Sequence, residues 1–261
     1  MAYIYKRVHT KHRDFVTRTK CYYYNRPGKK RRGVRVAPTG EGKKKRNKRQ
    51  AYLKRKYLIY NNFDIGDFWI TLTYINAMLP ETKKEAAKIL MNVLSKLRKK
   101  LKRQGIPLLY FVKTELGEQG RVHHHLIIKN NFPVVSYLYE YWKEFGSVRD
   151  FKQIYNLANG KLVKYMLCEG KSDKGDEESE AIFSHSRNLT EPETETRIYP
   201  AESFRENPKP PKSKEEGKVW VIENLHNWFP DIDGYIYQEY ELVLKEVDKL
   251  DTIQSIKSVG A

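Results

Sequence analysis

The sequence predicts an α+β fold, a mainly antiparallel central sheet with helices packed on it, plus a basic N-terminal arm. Three features predict it. The run Phe68-Trp69-Ile70-Thr71-Leu72-Thr73-Tyr74 has the β-branched and aromatic composition of a strand. Two more such segments, 108–115 and 122–129, are joined by a short loop holding Gly117 and Gly120, which is hairpin chemistry. Between the first strand and this pair lies a long stretch with apolar residues at helical spacing.

Taken in order, residues 1–60 read as a basic DNA-binding arm without periodicity, with 51–60 a short helix or strand leading inward. The folded domain begins near Asn62-Phe63, with 68–74 as a central strand. After Pro80, Thr82 and Glu85 have the spacing of a capping box. Ala86, Ile89, Leu90, Val93, Leu94, Leu97 and Leu101 then form a helical core stripe that ends at Gly105. The hairpin follows. Pro133 opens a helix through Trp142 that stops at Gly146. Residues 148–154 form a strand, and 157–169 a helix interrupted by Gly160. Residues 171–217, rich in Asp, Glu, Ser, Lys and Pro, read as loop or partly disordered linker. Short strands are expected at 219–222 and 235–237, then a frayed helix and tail from Leu242 on. The expected domains are 1–60 (arm), 61–190 (catalytic-type domain) and 191–261 (linker and C-terminal extension).

Charge is distributed unevenly. Residues 1–60 hold 21 Lys and Arg against two Asp and Glu, so they contain all of the chain's net charge of +18. A local block of this kind, mixed with Tyr22, Tyr23 and Tyr24, suits a polyanion such as single-stranded nucleic acid. Arg31, Arg32, Lys44 and Arg46 are its candidate DNA contacts. The two cysteines, Cys21 and Cys168, form no CxxC, which argues against a disulfide framework or zinc knuckle. No apolar run is long enough for a membrane span or a signal peptide, so a cytoplasmic location without a membrane partner is expected.

The segment Arg121-Val122-His123-His124-His125-Leu126 carries the chemistry. In a strand, His123 and His125 share one face and His124 takes the other. Two imidazoles about 7 Å apart along a strand can converge on one divalent ion. Phosphoryl chemistry also wants an oxygen ligand, and Glu115 lies on the neighbouring strand, eight residues before His123. Glu118, in the loop, is the weaker candidate. His9, His12, His185 and His226 are scattered and have no assigned role.

With these segments the chain resembles the HUH endonucleases, specifically the rolling-circle replication initiators (Rep) of small phages and plasmids. Asp67 to Tyr74 looks like the first Rep motif. Glu115 with His123 and His125 looks like the metal motif, and Lys164-Tyr165-Met166-Leu167-Cys168 is similar to the tyrosine motif, 40 residues after His125. Ser186-Arg187-Asn188-Leu189 also resembles this group, and the likeness covers 62–190. It implies Mg²⁺ or Mn²⁺ at Glu115, His123 and His125, Tyr165 as nucleophile, and a 5′-phosphotyrosine with a free 3′-hydroxyl. The substrate it implies is single-stranded or locally melted origin DNA. Tyr155 is the runner-up nucleophile, ahead of Tyr141 and Tyr137. The family often has Lys three residues after its tyrosine. Cys168 stands there in this chain, and Lys161 and Lys164 are the nearby cations and candidate phosphate contacts. No GxxxxGK[ST] is present, so unwinding falls to a host helicase and extension to a host polymerase. The alternatives are a non-catalytic nucleic-acid binder, and a transposase or relaxase of the same superfamily.

Overall fold

The computed structural model describes residues 2–21, 40–117, 120–157, 160–167, 181–228 and 237–247. Its elements are β1 (Ala2–His9), β2 (Asp14–Cys21), α1 (Gly40–Asn62), β3 (Phe68–Tyr74), α2 (Lys83–Lys102), β4 (Tyr110–Leu116) and β5 (Val122–Ile128). They continue with α3 (Phe132–Trp142), β6 (Gly146–Gln153), α4 (Lys161–Leu167), β7 (Ile182–His185), β8 (Glu193–Pro200), β9 (Lys218–Trp228) and β10 (Tyr237–Glu246). The chain divides into two compact units, Asn47–Glu191, and Met1–Arg46 with Pro192–Ala261. The fold is α+β, with two antiparallel sheets and helices packed on them.

The unit Asn47–Glu191 holds a sheet in the order β6-β3-β5-β4-β7. Period-two alternation sorts its residues. Ile70, Leu72, Tyr74, Val112, Leu126 and Ile128 turn to one face and join a buried cluster with Leu90, Leu94, Leu97 and Leu101 of α2 and Leu138 and Trp142 of α3. The helical stripe expected from the sequence is therefore core. Thr82 caps α2 by accepting from the Glu85 backbone N–H at 3.1 Å. The Glu85 carboxylate accepts from the Glu81 N–H, one residue before the cap, so the capping box closes on its neighbour.

Several expectations are corrected. Gly146 is the first residue of β6 rather than a helix stop. Gly160 precedes α4 instead of interrupting it; Lys164 N–H bonds back to the Gly160 carbonyl at 2.8 Å, so helical turns begin there. The stretch 171–217 contains strands β7 and β8, which the linker reading missed. Polar composition hid them because each is a mostly exposed edge strand, held by the ladder with its partner rather than by its own burial.

The other unit has a sheet in the order β8-β1-β2-β10-β9. Val16, Tyr240 and Leu242 are its buried centre. Arg13 and Glu241 pair within it, both almost fully buried. Asp14 takes the Arg7 guanidinium at 2.6 Å and His9 Nδ1 at 3.0 Å. Residues 2–21 are therefore strands where the sequence reading has an arm, and α1 starts at Gly40 within that supposed arm. From Leu242 the chain continues as β10 rather than as a frayed helix. The partners of β1 and β2 are β8 and β10, nearly two hundred residues away, so no local pattern announces the pairing. The charge run also masks the helix formers of α1.

Candidate metal centre

Strand β5 lies between β3 and β4, and the register aligns three rungs. Thr73, His123 and Glu115 form one, and Thr71, His125 and Lys113 another, both on the face away from α2 and α3. Between them Leu72, His124 and Thr114 form a rung on the opposite, core face. The expectation that His123 and His125 point one way and His124 the other is met.

Glu115 Oε1 lies 3.1 Å from His125 Nε2 and 3.6 Å from His123 Nε2. One ligand atom from each of the three residues falls within 4.8 Å of the others. The second ring nitrogens are occupied. His123 Nδ1 is 3.3 Å from the Arg121 carbonyl, which can only accept, so the proton sits on Nδ1 and Nε2 keeps its lone pair. His125 Nδ1 meets the Thr71 hydroxyl at 3.1 Å. Ligating histidines are ordinarily held this way through the far nitrogen. Two imidazoles and one carboxylate, so arranged, fit a divalent cation.

Burial opposes the charge on Glu115, yet contacts from His123, His125 and Lys113 hold its carboxyl well below the usual carboxylate range. Lys113 Nζ is 2.6 Å from Glu115 Oε2, an ion pair at an angle that is not a hydrogen bond's. This lysine is 2% exposed. It turns the carboxylate so that Oε1 faces the histidines. Sequence reasoning missed Lys113; its signal was a lone cation on a buried strand, two residues before the acidic ligand on the same face. Burial pushes His125 below its ordinary value, and Glu115 pulls the other way.

Tyr165 reaches this cluster from α4. Its hydroxyl lies 3.3 Å from His125 Nε2, and its ring meets Trp69 edge-on at 5.5 Å. Lys113 Nζ donates to the Tyr165 carbonyl at 3.4 Å. Burial, then the carboxylates of Glu115 and Asp150, raise the phenol above its ordinary value. Val163, Met166 and Leu167 anchor α4 inward, while Tyr165, Lys161 and Lys164 face outward. Tyr155 is 85% exposed and stands apart from the cluster's hydrogen bonds and ring contacts. Tyr137 and Tyr141 pack against the core on the other sheet face.

Gly117 ends β4's side of the hairpin against the His123 ring. A Cβ there would lie 2.8 Å from His123 Cε1, so only glycine admits the ring in this position. A cavity of about 550 Å³ opens beside His123 between Thr73, Asn76, Arg121 and Arg149. The Arg121 guanidinium is held there by Asn76 Oδ1 at 2.6 Å and the Tyr74 carbonyl at 3.0 Å. His124 is sealed in the core, with Tyr74 Oη and Thr114 Oγ1 each at 2.8 Å from its ring nitrogens.

Among the other expected site residues, Lys44 is exposed on α1, and Arg46 lies on the same helix with its side chain outside the described residues. Arg31, Arg32, Glu118 and Cys168 also lie outside them. Among the described residues, no helix is long and apolar enough to cross a membrane.

Fold and site together define an α+β domain with a carboxylate–histidine cluster on a sheet face and a tyrosine beside it. Residues 67–170 of this chain match the family of the replication-associated protein ORF2, and the match runs from β3 through α4. The similarity is to Rep-type replication initiators. No curated protein and no solved structure matches the chain.

Proposed function

We propose that this chain initiates rolling-circle replication by nicking and rejoining single-stranded origin DNA, with Tyr165 as nucleophile and Glu115, His123 and His125 as ligands of Mg²⁺ or Mn²⁺. The observation that carries the reading is the 3.3 Å approach of the Tyr165 hydroxyl to His125 Nε2, at the edge of a three-ligand cluster. The family similarity, which is to replication-associated proteins, supports it. A bound divalent cation supplies Lewis-acid neutralisation of phosphate charge. The Tyr165 oxygen attacks phosphorus, the bond to the 3′ oxygen breaks, and the tyrosine's proton ends on that leaving oxygen. The DNA stays on Tyr165 through its 5′ phosphate, and reversal by a 3′-hydroxyl rejoins the strand. Lys113 holds the Glu115 carboxylate in orientation. Lys161 and Lys164 contact phosphates near the tyrosine, and Arg31, Arg32, Lys44 and Arg46 add binding at a distance. Unwinding and extension are left to host enzymes.

The test is a denaturing gel of the full chain with labelled single-stranded origin DNA and Mn²⁺. A covalent protein–DNA band is expected, absent with chelator and reduced at least a thousandfold in Tyr165→Phe. A persistent band in Tyr165→Phe would move the nucleophile to Tyr155. Tight binding without any band would make the chain a non-catalytic binder.

A further inference from the structure

At the other end of β4 from Glu115 lies a cleft of about 960 Å³, within the unit Asn47–Glu191. Its rim carries Arg98 and Lys102 of α2, and His185, Arg187 and Asn188 at and after the end of β7. Ile106, Leu108 and Tyr110 line it with apolar surface. No Asp or Glu lines it among the described residues. Tyr110 and Glu115 are five residues apart on β4, or about 17 Å at strand rise, so the cleft is separate from the metal centre.

The rim is held in place. The Arg98 guanidinium donates to Tyr110 Oη at 3.1 Å. Ser186, 1% exposed, accepts from Tyr110 N–H through its hydroxyl at 3.2 Å and donates its own N–H to the Tyr110 carbonyl at 3.0 Å. Leu189 is buried at the far side of the same turn. The two residues between, Arg187 and Asn188, are therefore presented outward on a pinned turn. The adjoining end of α2, 96–103, carries six cations and no carboxylate. Of these, Lys100 pairs with Glu140 at 3.1 Å. Lys102 and Arg187 have no carboxylate partner among the described residues.

We propose that this cleft is a second, non-catalytic binding site for a nucleic-acid strand, gripped by its phosphates through Lys102, Arg187 and Arg98. The charge selects a polyanion. The apolar floor between the cations accepts a base, and the Asn188 amide offers both a donor and an acceptor to its edge. A solvated helix face would need neither the pinned turn nor a lined depression. Arg187 and Asn188 stand in the motif that the metal centre leaves unused. The inference rests only on the DNA-binding part of the reading above, not on cleavage.

The experiment uses the full chain and a fluorescent single-stranded oligonucleotide, with affinity followed by anisotropy across salt concentrations in chelator. Wild type is compared with Lys102→Gln/Arg187→Gln and with a control, Lys84→Gln/Lys88→Gln, exposed on the opposite end of α2. Loss of two phosphate contacts lowers the salt slope by about 1.4, at about 0.7 per contact for single strands. We expect that change, with roughly tenfold weaker binding, in the cleft variant alone and with its melting temperature unchanged. An unchanged slope in the cleft variant overturns the proposal, as does an equal change in the control, which would mark a mere net-charge effect. Covalent adduct formation is read separately. A chain that binds DNA without forming an adduct sinks the cleavage reading and leaves the slope comparison decisive.

Discussion

Gly117 and His123 touch across the hairpin, and the glycine's missing side chain makes room for the imidazole. Gly117→Ala therefore pushes the His123 ring off its Arg121 carbonyl contact. Mn²⁺ affinity, read by titration calorimetry, should fall about tenfold or more, the usual cost of disturbing a ligand's support. Unchanged affinity would show that the ring is not held there. His124 faces the other way and has another consequence. Burial, with smaller contributions from His123 and His125, pushes it down to about 3 from an ordinary 6.5. The folded chain keeps it neutral while the unfolded chain takes a proton below its ordinary value. Stability is thus fully present above about pH 6.5 and falls as pH drops from there toward 3. Urea midpoints between pH 7 and pH 4 should decline, and less steeply in His124→Leu. Equal slopes would remove His124 from the acid response.

At the scale of elements, β6 is held to β3 by a close approach. A Cβ on Gly146 would lie 1.8 Å from the Thr73 carbonyl oxygen, which is backbone and cannot yield. Gly146→Ala should cost about 3 kcal/mol or more in denaturant unfolding, as a backbone clash in a sheet ladder. A cost under about 1 kcal/mol would mean that β6 can shift freely. The elements of this unit were legible because their signals are local: the stripe of α2, the composition of β3 and the glycines of the hairpin lie within short windows. The rungs that join Glu115 to His123 follow from that hairpin register. Lys113 was not legible as a functional residue, because strand alternation places a side chain on a face without saying what it meets there. The edge strands β7 and β8 were illegible for another reason, since each is held by a partner far along the chain.

At the scale of the whole molecule, the two units differ in how the chain builds them. Asn47–Glu191 is continuous and contains the Glu115, His123 and His125 cluster. The other unit joins both ends of the chain, with β1 and β2 seated between β8 and β10. Ending the chain after Glu191 leaves β1 and β2 as a two-stranded hairpin, which is marginal alone. Trypsin should then cut at Arg7, Arg13 and Arg18, while Mn²⁺ binding at the retained cluster persists. Protection of those sites in the shortened chain would show that β1 and β2 need no partners. The same topology sets a schedule during synthesis. β10 emerges more than two hundred residues after β2. At a ribosomal pace of about 5–20 residues per second, β2 waits roughly ten to forty seconds for its neighbour. For that interval the hairpin shows two unpaired edges, the usual template for aggregation. Lys6, Arg7, Arg13, Arg18 and Lys20 lie along or beside those edges. Their mutual repulsion keeps one nascent chain from pairing with the next until the strands it was made for arrive.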